Sequence, residues 1–111
     1  MQVFLFKDRC ERVIRIVSDD TCTHAFAWRD DQPIGELHVA VDTYSAQTSA
    51  TLVSIYVEPA YRRSGIAHTL LAYVSRQLGE PIWVERFESA GSPAFETLCR
   101  CLAHEGTLTL A

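Results

Sequence analysis

No stretch of this 111-residue chain is apolar for long enough to cross a membrane as a helix. The opening Val3-Phe4-Leu5-Phe6 is followed at once by Lys7, Asp8 and Arg9, a pattern that fits neither a signal peptide nor an anchor. Positive charge is also short: 10 Lys and Arg against 14 Asp and Glu give a net charge of −4. A general nucleic-acid binder needs a basic face, so neither nucleic acid nor membrane is expected as a partner. The four cysteines, Cys10, Cys22, Cys99 and Cys101, form no Cys-x-x-Cys pair and have no histidine at ligand spacing. No metal site is expected, and the thiols read as buried residues of a cytoplasmic protein. Repeats, linkers and low-complexity tracts are missing too, which leaves one domain over residues 1–111.

What is present divides the chain in two. Residues 2–7 and 12–17 are short apolar runs around a charged turn, as in a hairpin. Residues 23–29 alternate, with His24, Phe26 and Trp28 on one face, and Asp30-Asp31-Gln32-Pro33 is turn chemistry. Residues 34–41 and 51–57 alternate again, grouping Leu37, Val39 and Val41, then Val53, Ile55 and Val57, on either side of a polar loop over 42–49. Short connections make these strands antiparallel. Beyond them Ala67, Leu70, Leu71, Val74 and Leu78 recur at helical spacing, closed by Gly79 and Pro81. Residues 81–87 return as a strand parallel to residues 51–57. Ser92 and Pro93 open a second helix that buries Phe95, Leu98 and Leu102 and runs out near Gly106; a weak strand, 107–110, ends the chain. The fold class is therefore α+β: a mixed, mostly antiparallel sheet with a βαβ core and a second, carboxy-terminal helix. Among the aromatics, Phe26 and Trp83 are taken as core, while Trp28 and Tyr44 are candidates for lining a groove. His24 and His38 have no partner that the sequence identifies.

The junction of the two halves is the most specific feature. Val57-Glu58-Pro59-Ala60-Tyr61-Arg62-Arg63-Ser64-Gly65-Ile66-Ala67 is a strand stopped by proline, a loop with two arginines, and a helix start at a glycine. Unpaired N–H groups and the helix dipole make such a start a site for phosphate. It lacks the Gly-Lys-Ser/Thr ending of a P-loop and is not Gly-x-Gly-x-x-Gly. The run resembles the coenzyme A pyrophosphate loop of the GNAT family of N-acetyltransferases, whose signature Arg/Gln-x-x-Gly-x-Gly/Ala is met by Arg62, Gly65 and Ala67. The resemblance extends from about Ser49 to His104 and includes the order of strands and helices.

The resemblance implies acetyl-CoA as the cosubstrate, with backbone groups of Ile55, Tyr56 and Val57 along the pantetheine arm. Backbone N–H groups of Arg63, Ser64, Gly65, Ile66, Ala67 and His68 would wrap the pyrophosphate, with the Arg62 and Arg63 side chains close by. Trp83-Val84-Glu85 resembles the segment where some protein N-terminal acetyltransferases carry a catalytic glutamate, making Glu85 the candidate base; otherwise it is a surface ion-pair partner. Aligning residues 92–99 with the family's second helix puts Ser92 at its usual asparagine and Cys99 at its usual tyrosine acid. Cys99 then either protonates the leaving thiolate, accepts the acetyl group itself, or is a small buried hydrophobe. The two helices that the family places between its first long strands have only Ser18 to Cys22 to occupy here. A trimmed member with an open acceptor site is implied, or one completed by a second subunit as a homodimer. The activity implied is direct acetyl transfer to a primary amine of a protein amino terminus, a lysine or a small molecule, which an acidic chain suits. The alternatives are a catalytically silent acyl-CoA-binding module that regulates a partner, and an interaction domain that binds no cofactor.

Overall fold

The computed structural model describes residues 2–21, 23–44, 47–84 and 93–110. Glu85 and Ser92, and the turn between residues 44 and 47, lie outside them. Seven strands form one sheet in the order of the sequence: β1 (Gln2–Lys7), β2 (Val13–Ser18), β3 (His24–Arg29), β4 (Gln32–Tyr44), β5 (Gln47–Val57), β6 (Ile82–Val84) and β7 (Leu108–Leu110). The first five are an antiparallel meander. Helix α1 (Ile66–Leu78) then carries the chain to β6, parallel to β5, and α2 (Pro93–His104) carries it to β7, parallel to β6. Antiparallel neighbours need only short turns, whereas parallel neighbours need a crossover helix.

Local chemistry accounts for most of these boundaries. Asp30 takes a positive φ of 55° in the two-residue turn between Arg29 and Gln32, a conformation that aspartate tolerates in tight hairpins. Helix α1 ends at Gly79, φ 75°, whose N–H donates to the Ser75 carbonyl. The polar run over 42–49, read as a loop, is largely ladder: Asp42 pairs with Ser49, Thr43 with Thr48 and Tyr44 with Gln47. Backbone pairing and β-branched threonines extend this hairpin where apolar alternation has already stopped.

The core lies between the sheet and the helices. Ile14 and Ile16 of β2, Leu37 and Val39 of β4, Leu70, Leu71 and Val74 of α1, and Leu102 of α2 are buried in one cluster. Helix α1 packs on β3, β4 and β5 and touches α2. On β3 the residues facing it are Ala25 and Ala27, both fully buried. His24, Phe26 and Trp28 point the other way. Phe26 is 37% exposed and Trp83 44%, so neither is core as expected. Small alanines allow the helix to sit close, and the larger alternating face is left to the opposite side of the sheet. The expectation of four buried thiols also fails: Cys99 is buried, but Cys10 and Cys101 are exposed, while Cys22 lies outside the described residues. Among the described residues no helix is long and apolar enough to span a membrane.

Candidate functional site

The candidate site begins where β5 stops. The Glu58 N–H donates to the Ile34 carbonyl, the last bond of the β4–β5 ladder, and a single 3-10 turn over Pro59–Tyr61 lifts the chain away. Arg63 (φ 60°) and Gly65 (φ 92°) both adopt left-handed backbone conformations, which reverse the chain into α1. Gly65 is the N-cap of α1, no side chain caps the helix, and its first turn holds no acidic residue. Thr69 is the first residue to bond back within the helix, its N–H donating to the Gly65 carbonyl at 3.0 Å. The N–H groups of Ile66, Ala67 and His68 therefore have no acceptor inside the helix, and they coincide with its positive dipole end.

Each loop residue has a distinct place. Arg62 is used to brace the loop: its Nε donates to the Val57 carbonyl at 2.8 Å and its guanidinium lies 5.6 Å from the Tyr56 ring centre. Arg63 is exposed and makes no ion pair among the described residues. Ser64 is buried; its hydroxyl donates to the Tyr61 carbonyl and its own carbonyl accepts from the Arg9 N–H at 2.9 Å. Ile66 is buried in the core and Ala67 packs against it. His68 Nε2 sits 3.2 Å from Glu105 Oε2, linking α1 to the end of α2.

Strand β5 supplies an edge that is open among the described residues. It pairs with β6 through Ala50 and Thr51 only, leaving residues 52–57 unpaired on that side among the described residues. Antiparallel ladders alternate, and the Glu58–Ile34 bond sets the phase. The backbone groups of Tyr56 accordingly face β4, opposite Glu36, while those of Ile55 and Val57 face the open edge. Of the three residues expected to offer backbone groups to a ligand, Tyr56 has its own engaged in the sheet. Arg62 occupies the Val57 carbonyl.

Of the residues expected to do the chemistry, Cys99 alone lies among those described. Cys99 is fully buried, and burial pushes its thiol up to about 11. A thiol held protonated in the core is a poor nucleophile, which favours the small-hydrophobe alternative. Glu85 and Ser92 lie outside the described residues.

The sequence reading missed the β1–β2 turn. Asp8 is 5% exposed, and its carboxylate accepts from the Cys10 and Arg12 N–H groups, each at 2.9 Å, and from Arg12 Nε at 2.8 Å. Burial alone would raise its pKa; the hydrogen bonds from Arg12 and Cys10, with the Arg12 charge, outweigh that and hold it below the ordinary 3.8. Arg12 also reaches the Ala60 carbonyl at 3.3 Å and stacks 4.2 Å from the Tyr61 ring centre. The turn thus grips the arginine loop from a distance of about fifty residues in sequence. Only the crowding of charge at residues 7–12 hinted at it.

Residues 3–95 match the model of the acetyltransferase (GNAT) family. Among solved structures, the crystal structure of the acetyltransferase from Vibrio fischeri is similar at 22% identity and a TM-score of 0.40. That match covers 65% of this chain and 58% of the Vibrio fischeri chain. No curated protein matches.

Proposed function

The chain belongs to the acetyltransferase (GNAT) family, and we propose that it binds acetyl-CoA at the start of α1 and transfers the acetyl group directly to a primary amine. The observation that carries this reading is the uncapped first turn of α1, with Arg62 and Arg63 in the loop before it and the open edge of β5 alongside. The N–H groups of Ile66, Ala67 and His68 match a pyrophosphate in charge and direction. The outward groups of Ile55 and the Val57 N–H offer the kind of partner that the amides of a pantetheine arm need.

The coenzyme supplies the acetyl group as an activated thioester. The chain's own groups would orient it and move protons: Glu85, just after β6 in sequence, takes one from the amine so that its lone pair is free to attack. The acceptor is a protein amino terminus, a lysine or a small amine. A homodimer is part of the same reading, the second copy completing the acceptor side that the short segment after β2 would not wall.

A second reading has its own support. With Cys99 buried at the position of the family's usual acid, no described residue stands out as the proton donor for the leaving thiolate. A catalytically silent acyl-CoA-binding regulator would need none.

Calorimetric titration of acetyl-CoA into the native chain and into Gly65→Trp tests the site. Saturable binding that the variant loses supports it; no binding by the folded native chain overturns it. Transfer to an amine panel then separates enzyme from regulator. Glu85→Gln should abolish turnover while retaining coenzyme affinity, and undiminished turnover would refute Glu85 as the base.

A further inference from the structure

Arg9 stands at the same helix start, on a different part of the chain. Its N–H is bonded to the Ser64 carbonyl, which fastens the β1–β2 turn to the residue before the N-cap. If Gly65 carried a Cβ, the nearest atom beyond its chain neighbours would be Arg9 Nε, 3.8 Å away. The guanidinium therefore lies over the cap of α1. It is exposed, and it makes no ion pair among the described residues. Its neighbours are committed elsewhere: Arg12 to Asp8, and Lys7 to Glu11 at 3.9 Å.

We propose that the β1–β2 turn completes the phosphate site, with Arg9 supplying a further guanidinium to an anion at the start of α1. The Asp8–Arg12 pair is the positioning device. Asp8 Oδ1 gathers the Cys10 and Arg12 N–H groups, the Asp8 N–H donates to the Arg12 carbonyl at 3.0 Å, and Glu11 takes a left-handed φ of 65° to close the turn. A turn locked this way presents Arg9 with little conformational freedom left to lose on binding. Among the described residues of the β1–β2 turn and the arginine loop, Arg12 and Arg62 are engaged, which leaves Arg9 and Arg63 to pair with a phosphate in the fork geometry that suits it. The inference rests on the coenzyme reading above and adds to it a ligand from the amino-terminal half of the chain. The anion is a phosphate group of coenzyme A, either the pyrophosphate or the 3′-phosphate.

The test is calorimetry on the full chain and on Arg9→Ala and Arg9→Lys, with acetyl-CoA and with its 3′-dephospho form, at low and high salt. Thermal melting without ligand is run alongside. Arg9→Ala should weaken acetyl-CoA binding about tenfold at low salt, with a smaller effect at high salt. Its ligand-free melting temperature should not change, because the side chain is exposed. Arg9→Lys should recover part of the loss, keeping the charge without the fork. A loss confined to acetyl-CoA identifies the 3′-phosphate as the partner; an equal loss with the dephospho form identifies the pyrophosphate. Native-like affinity in Arg9→Ala overturns the proposal while leaving the coenzyme site standing. A weakened affinity accompanied by a lowered ligand-free melting temperature overturns it too, by making Arg9 structural. Absence of binding by the native chain removes the coenzyme reading and this inference together.

Discussion

Asp8 and Cys99 are both buried, in opposite circumstances, and each gives a prediction. Asp8 is a buried carboxylate whose oxygens are used by the Cys10 N–H and by Arg12, so neutralising it strands Arg12. Asp8→Asn should cost about 3 kcal/mol, the lower end for breaking a buried pair because Arg12 keeps some contact with water. The pH dependence has a definite sign. The folded-state pKa of Asp8 lies below its ordinary 3.8, so its contribution is complete above that value and disappears as pH falls through the lower, folded value. Urea unfolding of native and Asp8→Asn chains should give a constant gap from neutral pH to about pH 5 that closes in stronger acid. A gap that widens in acid would show that another group governs the turn. Cys99 is the opposite case, a thiol without solvent contact. Cys99→Ala should lower stability by about 1 kcal/mol through a small cavity and leave acetyl transfer within a factor of about three. Loss of transfer without loss of affinity would restore Cys99 to a chemical role.

On the proposed reading helix α1 offers its backbone as the binding element, and Gly65 at its N-cap sets how the first N–H groups are aimed. A side chain at φ 92° is strained, so Gly65→Ala should cost about 1 kcal/mol in a denaturant titration. If the cap shifts to relieve the strain, the free N–H groups re-aim and acetyl-CoA affinity falls by more than the stability change alone explains. Unchanged affinity would mean that the cap geometry is not what holds the phosphate. This element was legible in the sequence because its signals are local: apolar spacing from Ala67 to Leu78, glycines at both ends, and an arginine loop before it. The described strands were legible for the same reason, apart from the polar end of the β4–β5 hairpin; of the strand expected over 81–87, residues 82–84 form β6 and residues 85–87 lie outside those described. At that polar end, backbone pairing alone continues the ladder, and pairing leaves no periodic trace. What stayed hidden needs contacts distant in sequence. The grip of Asp8 and Arg12 on residues 60–64 is of this kind, as is the phase of β5, which depends on one bond from Glu58 to Ile34.

Alternation says which residues share a face, but not which face the helices cover, and that choice shapes the whole molecule. Covering the alanine side of β3 leaves a bare face on which Val3 and Leu5 of β1, Val13 and Val17 of β2, and Phe26 of β3 lie across from one another in register or adjoin. Val3, Leu5 and Val13 are each more than half exposed. A contiguous exposed apolar patch is the kind of surface on which a second copy can dock. Arg15 and Glu36 on the same face carry opposite charges, as an interface repeated about a two-fold axis requires if each is to meet the other. Sedimentation equilibrium of the native chain should accordingly give twice the chain mass of 12.5 kDa at tens of micromolar. Leu5→Glu should return it to the monomer without lowering the monomer's stability by more than about 0.5 kcal/mol, because the residue meets solvent there. A native chain that stays monomeric across that range would leave the bare face to a different occupant, and the amine acceptor itself would be the first to test there.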